Sequence, residues 1–372
     1  MTAGSNAYHD FVDRFGGNRS FRKVFPMIGE EEDRFLRMSY KGGFTFANPK
    51  YACKPIGEGL VLDVNSMYPW VMHDCLLPVG KPIWFDGEPI PSPMHKLWVA
   101  AVTLRFKVKK DHIPCIQIKG FMRFIPTEYL VDSGMEVTLT VTSVDWELIT
   151  QQYDVEVISW EGGYLFSASN AQFKDYVDYW MKRKVEATQE GNHGKRQVAK
   201  LMLNSLYGKF ATRIVIQSRK PEIREGVLKY VDLEPEKREP VYLPVGTFIT
   251  AYARQKTVSS AQHVFDRFLY ADTDSLHLRG LEVPDGLFIH DTQLGAWKVE
   301  NTFTRAKFLR AKTYIEEIGG ELKVHVSGMP QSCHPNVTFD NFDIGAEYEG
   351  KLYTKRVKGG IVLQEGPMKI QG

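Results

Sequence analysis

The residues with the plainest chemical potential lie in Tyr270-Ala271-Asp272-Thr273-Asp274-Ser275. An apolar stretch from Phe265 to Leu269, interrupted by Asp266 and Arg267, leads in, and Leu276-His277-Leu278 leads out. That pattern predicts strand, tight turn, strand. Residues two apart in an extended chain face the same side. Asp272 and Asp274 would then present four acceptor oxygens to one spot. Two carboxylates so close repel unless a cation sits between them. The same residue types also build ordinary turns by bonding local backbone, and this stretch alone leaves both readings open.

Other polar residues lack a local structural reason. Gly59 to Val64 is a buried-type strand broken only by Asp63, and it runs into Asn65-Ser66-Met67-Tyr68-Pro69. A carboxylate in an apolar run is costly unless paired or ligated. Pro69 is placed to open a helix at its first position. A helix over 171–187 carries the stripe Phe173, Val177 and Trp180 or Met181, with Lys182-Arg183-Lys184 in its last turns. The turn Glu190 to Gly194 joins it to a second helix from about Lys195 to Tyr207, stopped near Gly208. Two helices with a short polar turn make an antiparallel hairpin. On the second, Lys200, Asn204 and Tyr207 fall at i, i+4 and i+7 and share a face. Leu201, Leu203 and Leu206 fall mostly elsewhere and can do the packing. From Lys307 to Ile315 polar and apolar residues alternate, and a strand would put Arg310, Lys312 and Tyr314 on one face. Carboxylates at strand ends suit Mg²⁺, which takes a few carboxylates plus phosphate oxygens and water. Two such ions roughly 3.5–4 Å apart clamp the attacking and leaving oxygens of a phosphoryl displacement, and nearby lysines neutralise a triphosphate. The set reads as nucleotidyl transfer.

The elements that must position these residues fit a large chain. With 372 residues, 43% of them hydrophobic, it can bury a sizeable core with more than one subdomain. A net charge of +2 gives no overall field that would identify a partner. Cys53, Cys75, Cys115 and Cys333 form no C-x-x-C pair, and neither they nor His112 and His334 beside them have the spacing of a zinc site or disulfide framework. A reducing cytoplasm fits that usage. There is no apolar run of membrane length, and the polar N-terminus does not read as a signal peptide. Residues 1–35 read as a helical lead-in or a remnant. Tyr40-Lys41-Gly42-Gly43-Phe44 permits close backbone approach, as a loop tracking a phosphate chain or an ordinary turn would need. Residues 76–170, rich in proline and short alternating strands, read as a β-rich insertion. Within it Arg105 to Lys110 is either a nucleic-acid face or a solvated strand face. Residues 211–240 read as a second, hairpin-like insertion, Val245 to Val264 as helix, and Lys355 to Leu363 as a basic hairpin turning at Gly359-Gly360.

DVNSMYP (63–69), KLMLNSLYG (200–208), YADTDS (270–275) and KTY (312–314) resemble motifs A, B, C and K-x-Y of family B DNA polymerases, in that family's order. YKGGF (40–44) resembles its YxGG motif, likewise ahead of motif A. The two insertions resemble those of the protein-primed polymerases of small Bacillus-type phages, and the similarity covers nearly the whole chain. It implies an α+β right hand: an antiparallel palm sheet, helix-hairpin fingers, a small β thumb and two insertions. The matching divisions are 1–44 (lead-in with the YxGG loop), 45–75 (palm), 76–170 (first insertion), 171–210 (fingers), 211–242 (second insertion), 243–330 (palm) and 331–372 (thumb).

The resemblance also implies roles. Asp63 and Asp274 would bridge two Mg²⁺ ions, with Mn²⁺ as a substitute and the Val64 carbonyl as a further ligand, and Asp272 would assist near the primer end. Lys200 and Lys184 would meet the incoming triphosphate. Tyr68 would sit under the sugar and exclude ribonucleotides, and Asn204 and Tyr207 would line the nascent base pair. Lys312, Thr313 and Tyr314 would hold the primer terminus, while Tyr40, Gly42 and Gly43 would track the template. The expected substrates are primer-template DNA and deoxynucleotides. A terminal protein and a separate exonuclease chain are candidate partners. The expected setting is a monomer in the cytoplasm of an infected bacterial host, with no membrane contact. Full-length members carry an N-terminal 3′–5′ exonuclease domain, for which the segment ahead of Tyr40 is too short. Asp154-Val155-Glu156 and Asn336 to Asp340 match exonuclease patterns but in the wrong order. The expectation is therefore a chain without proofreading, either truncated or naturally split, with strand displacement and processivity left open. The rival from another class is a non-catalytic module that binds DNA or terminal protein. A reverse transcriptase would show adjacent aspartates and lack the K-x-x-x-N-S-x-Y-G helix.

Overall fold

A computed structural model describes residues 2–118, 129–225, 227–358 and 360–371. A five-stranded antiparallel sheet runs in the order Thr45–Ala47, Phe268–Asp272, Ser275–Arg279, Gly59–Val64, Trp297–Phe303. Leu60, Val61, Leu62 and Val64 are all buried, so this strand is covered on both faces and Asp63 is the exception. Its register sets Asp63 opposite Ser275 on one side and Lys298 on the other. The helix Leu243–His263 is buried on every side from Leu243 to Ala251, including Thr247 and Thr250, whose hydroxyls donate to carbonyls of the same helix. Phe248, Ile249 and Ala251 enter one core and Ala253, Val258 and Ala261 the core behind the sheet.

The helix hairpin is Lys174–Gln189 and His193–Phe210. Asn192 caps the second helix, its Oδ1 accepting from the Lys195 amide at 3.0 Å. This helix runs through Gly208 instead of stopping there. The ring of Phe210 is fully buried against Phe11, Phe25 and Phe173. Such burial is worth about 1.5–3 kcal/mol, more than the ~1 kcal/mol a mid-helix glycine costs. The N-terminal helices Ala3–Arg14, Asn18–Val24 and Glu30–Ser39 pack into the same core, and Phe11 stacks on Phe173 at 4.8 Å. Residues 1–35 thus brace the hairpin. The helix after Asp63 is Met67–Asp74, so Pro69 is its third residue, still inside the first turn where no proline N–H is missed.

A second sheet runs Glu321–Val326, Thr313–Ile318, Arg305–Arg310, Pro55–Ile56. Here the structure corrects the single strand read over 307–315. The chain turns at Lys312, whose φ is 58°, so Arg310, Lys312 and Tyr314 do not share a strand face. The turn lets Phe308 and Tyr314 pair across the hairpin with rings 5.4 Å apart, and both are buried.

The 76–170 region forms a four-stranded sheet, Leu77–Phe85, Tyr153–Ser169, Leu97–Val108, Val137–Thr142. Its Arg105 is half exposed and paired with Glu136 at 2.8 Å, a solvated strand face. Residues 211–240 form two short ladders, Val215–Ile216 with Glu236–Lys237 and Arg219–Arg224 with Val227–Asp232. Near the C-terminus, Glu347–Val357 pairs with Gly360–Lys369; Gly359 of that turn lies outside the described residues. No described helix is long and apolar enough to cross a membrane.

Candidate active site

The turn between Asp272 and Ser275 is not extended. Thr273 has a φ of 59°, and the Asp274 amide donates to the Asp272 carbonyl at 2.7 Å. A β-branched residue in the left-handed region costs on the order of 1–3 kcal/mol and persists only where its surroundings enforce it. They do. The Thr273 amide donates to the Phe44 carbonyl (2.6 Å), and the Thr257 hydroxyl donates to the Thr273 carbonyl (2.6 Å). Gly43 lies directly against the turn, where a Cβ would come within 2.7 Å of Thr273 Oγ1 and Cγ2. The loop itself is fixed by Arg254, which grips Asp145 with Nη2 and donates from Nη1 to the Lys41 and Gly42 carbonyls at 2.8 Å each.

The consequence corrects the reading of two carboxylates facing one spot: the turn parts them. Asp274 lines a cleft of about 410 Å³ together with Asp63. Asp272 does not line it and accepts from Thr45 Oγ1 (3.2 Å), Thr273 Oγ1 (3.3 Å), Tyr270 Oη (3.4 Å) and the Lys312 ammonium. Tyr270 Oη also accepts from the Lys312 amide at 2.9 Å. Lys312, Asp272 and Tyr270 therefore form one unit.

Strand end, turn and helix hairpin converge on the cleft. Asp63, Val64, Ser66, Tyr68, Lys184, Lys200, Asn204, Tyr207 and Asp274 all line it. Burial pushes the Asp63 carboxyl up to about 7, helped by Asp274 and Glu300 and opposed by Lys298 and Lys200. Asp274 is likewise raised, first by burial, with Asp272 and Glu300 adding to it. Half-buried carboxylates that repel one another mark a place short of positive charge. On the opposite wall Lys184 is lowered, chiefly by burial and then by Arg196, Lys298 and Lys200. Its ammonium donates to Ser66 Oγ at 3.2 Å, and Ser66 is itself left-handed with a φ of 56°. A face of crowded cations opposite crowded carboxylates suits a polyanion carrying its own metal. The rings of Tyr68 and Tyr207 pack with centroids 4.1 Å apart, tilted by 31°, and burial raises the Tyr68 hydroxyl.

The remaining named residues do not line this cleft. Tyr314 and Thr313 are buried, Tyr314 among Tyr270, Phe308, His277 and His325. Tyr40 ends the helix Glu30–Ser39, half buried, and Gly42 is open with nothing within 4 Å of a built Cβ. Asp154 and Glu156 lie on the 153–169 strand, and Asn336 and Asp340 lie at or just after the 3-10 turn Gln331–Asn336; neither pair lines the cleft.

Sequence reasoning missed Arg196, Lys298 and Glu300, all lining the cleft. Arg196 stands one helical turn before Lys200, and the i, i+4 rule extended backwards finds it. Lys298 enters by strand pairing opposite Asp63, and Glu300 sits at a register shift between Val299 and Asn301. Bulges of that kind re-aim a side chain, and no local pattern announces them.

The donor set fits Mg²⁺. Among the described residues no cluster of three or more His, Cys, Asp or Glu side chains is close enough to hold a metal. Mg²⁺ asks for less: one or two carboxylates, the rest coming from substrate phosphates and water. Asp63 and Asp274 supply that, with the Val64 carbonyl beside them.

The family model described as DNA polymerase type B, organellar and viral, matches residues 1–288. The DNA polymerase of Bacillus phage Nf is 41% identical over 393 aligned positions, covering 100% of this chain and 68% of the relative. That of Streptococcus phage Cp-1 is 34% identical, with 100% and 67% covered. Among solved structures, Phi29 DNA polymerase complexed with primer-template DNA and incoming nucleotide substrates superposes with a TM-score of 0.93 at 39% identity, covering 100% of this chain and 68% of that one.

Proposed function

The chain belongs to the organellar and viral type B DNA polymerases, and on that premise we propose that it adds deoxynucleotides to a primer 3′-OH by two-metal nucleotidyl transfer. The observation that carries the proposal is the pairing of Asp63 and Asp274, both with raised proton affinity, in a cleft whose other wall holds Lys184, Arg196 and Lys200. Bound Mg²⁺ ions would supply the Lewis-acid charge for the displacement, held by Asp63, Asp274 and the Val64 carbonyl.

The chain's own residues do the rest. Lys200, Lys184 and Arg196 receive the triphosphate, and Lys298 screens Asp63 from the side. The packed Tyr68 and Tyr207 form a bar under the sugar that leaves no room for a 2′-hydroxyl, with Asn204 beside it at the nascent pair. Lys312, held by Asp272 and Tyr270, steadies the primer end with Thr313 and Tyr314 behind it. Tyr40, Gly42 and Gly43 guide the template past the turn. The 3′-oxygen attacks the α-phosphate and pyrophosphate leaves. A terminal-protein hydroxyl is the alternative attacking group, and an exonuclease chain a candidate partner in trans. In domain terms, 45–75 and 243–330 form the palm, 171–210 the fingers, 331–372 the thumb, and 76–170 and 211–242 the insertions. The chain acts as a monomer in the host cytoplasm during viral DNA replication.

Primer extension by the isolated chain with Mg²⁺ and deoxynucleotides tests this. Incorporation templated by the DNA supports it. DNA binding with no incorporation would instead make the chain a binding module.

A further inference from the structure

Catalysis requires the primer 3′-end to meet the metal-binding carboxylates, yet these belong to two different sheets. Asp63 and the 272–274 turn belong to the five-stranded sheet, Lys312 and Tyr314 to the four-stranded one. A buried polar contact joins the two sheets: His277 Nδ1 and Glu316 Oε1 lie 2.6 Å apart, with 3% and 2% of each residue exposed. His277 follows Ser275, the partner of Asp63, by two residues on the same strand. Glu316 follows Tyr314 by two and so shares its strand face. The imidazole is wedged edge-on among Tyr270 (5.2 Å), Tyr314 (5.2 Å) and Phe308 (5.5 Å), and His325 stacks on the far side of Tyr314 at 4.5 Å. Tyr270 in turn holds Lys312 and Asp272 through its hydroxyl.

A buried pair of this kind is a poor device for stability, because well-packed apolar residues of similar volume do as well or better. What it adds is direction: a hydrogen bond fixes the plane of the imidazole, and the imidazole fixes the two tyrosines. Misplacing reacting atoms by about 1 Å can cost on the order of 100-fold in rate.

Resting on the polymerase reading above, we propose that His277 and Glu316 are positioning residues that set the primer-holding unit Tyr314–Tyr270–Lys312 against Asp63 and Asp274. Neither touches substrate. Their effect therefore falls on the primer, and the incoming nucleotide, bound on the fingers side, is spared.

The test uses steady-state primer extension by the full chain, with KM measured separately for primer-template and for deoxynucleotide, alongside thermal melting. Glu316→Ala is expected to raise the primer KM about tenfold with the nucleotide KM within about twofold. Glu316→Gln, which keeps an acceptor for His277, is expected to restore it. The double variant His277→Leu/Glu316→Leu is expected to melt at or above the wild-type temperature and still show the raised primer KM. A merely structural pair would lower the active fraction and so the apparent kcat, leaving both KM values alone. That result, or a stable double variant with wild-type primer KM, overturns the proposal. Absence of extension by the wild-type chain would instead overturn the polymerase reading.

Discussion

Asp274 and Asp272 stand two residues apart on one turn and live in opposite company. Asp274 lines a cleft beside Asp63, and burial, with the charges of Asp272 and Glu300 adding to it, raises its affinity for protons. Asp272 accepts from two threonines, a tyrosine and a lysine. One carboxylate lies beside a second carboxylate, and the other is paired with a cation. The device that separates them is Thr273, forced into the left-handed region by Phe44, Gly43 and Thr257. A single strained dihedral thus turns two identical side chains into a metal-ligand candidate and a structural anchor for Lys312.

That contrast is broken or sharpened first by Asp274→Asn. Removing the unpaired member is expected to cut primer extension by about 10³-fold or more while DNA binding stays near wild type, and Asp63→Asn should match it. Normal extension by either variant would end the metal assignment. Tyr68→Val probes how far the Asp274 side of the cleft extends. With half of the Tyr68–Tyr207 ring pair gone, ribonucleotide use should rise by about tenfold or more relative to deoxynucleotide use. Unchanged sugar selectivity would remove Tyr68 from that role. Asp272→Asn is the milder counterpart: asparagine keeps an acceptor for Thr45 and Tyr270, and the Lys312 ammonium is half exposed. The expected loss is about tenfold or less. A loss as deep as that of Asp274→Asn would erase the division between the two carboxylates.

Much of this site was legible because its signals are local. The helix spacing of Lys200, Asn204 and Tyr207 brings them to one cleft, and Asp63 stands out as the one charge in an apolar strand. The helix hairpin followed from periodicity, and the α+β fold with its antiparallel sheet from the family resemblance that the ordered motifs carry. What was hidden depends on contacts made across the chain. The parting of Asp272 from Asp274 is enforced by Gly43 and Phe44, far upstream. Lys298 reaches Asp63 only through strand pairing, and Glu300 only through a register shift. The turn at Lys312 escaped notice because an alternating pattern continues through it, and only the burial of Phe308 against Tyr314 shows why the chain reverses there.

The smallest effect tests the same contrast by thermodynamics, without catalysis. A carboxyl whose proton affinity is higher in the folded than in the unfolded state binds more protons when folded, so raising the pH destabilises the fold across the interval between the two values. For Asp63 that interval runs from its ordinary 3.8 to about 7. Its favourable contribution is complete below the lower value and is lost as pH rises through the upper one. Asp274 shifts in the same direction. The metal-free chain should therefore lose a few degrees of melting temperature attributable to this pair between about pH 4 and pH 7. Mg²⁺ should restore more of it at pH 8 than at pH 5, because the cation replaces the missing protons only when the carboxylates are ionised. Asp274→Asn removes one of the two repelling charges, so it should flatten both the pH dependence and the Mg²⁺ response. Asp272→Asn removes only a secondary like-charge contribution to Asp274, behind burial, and so should leave most of both in place. Equal responses in the two variants would mean that the turn does not separate their electrostatics after all.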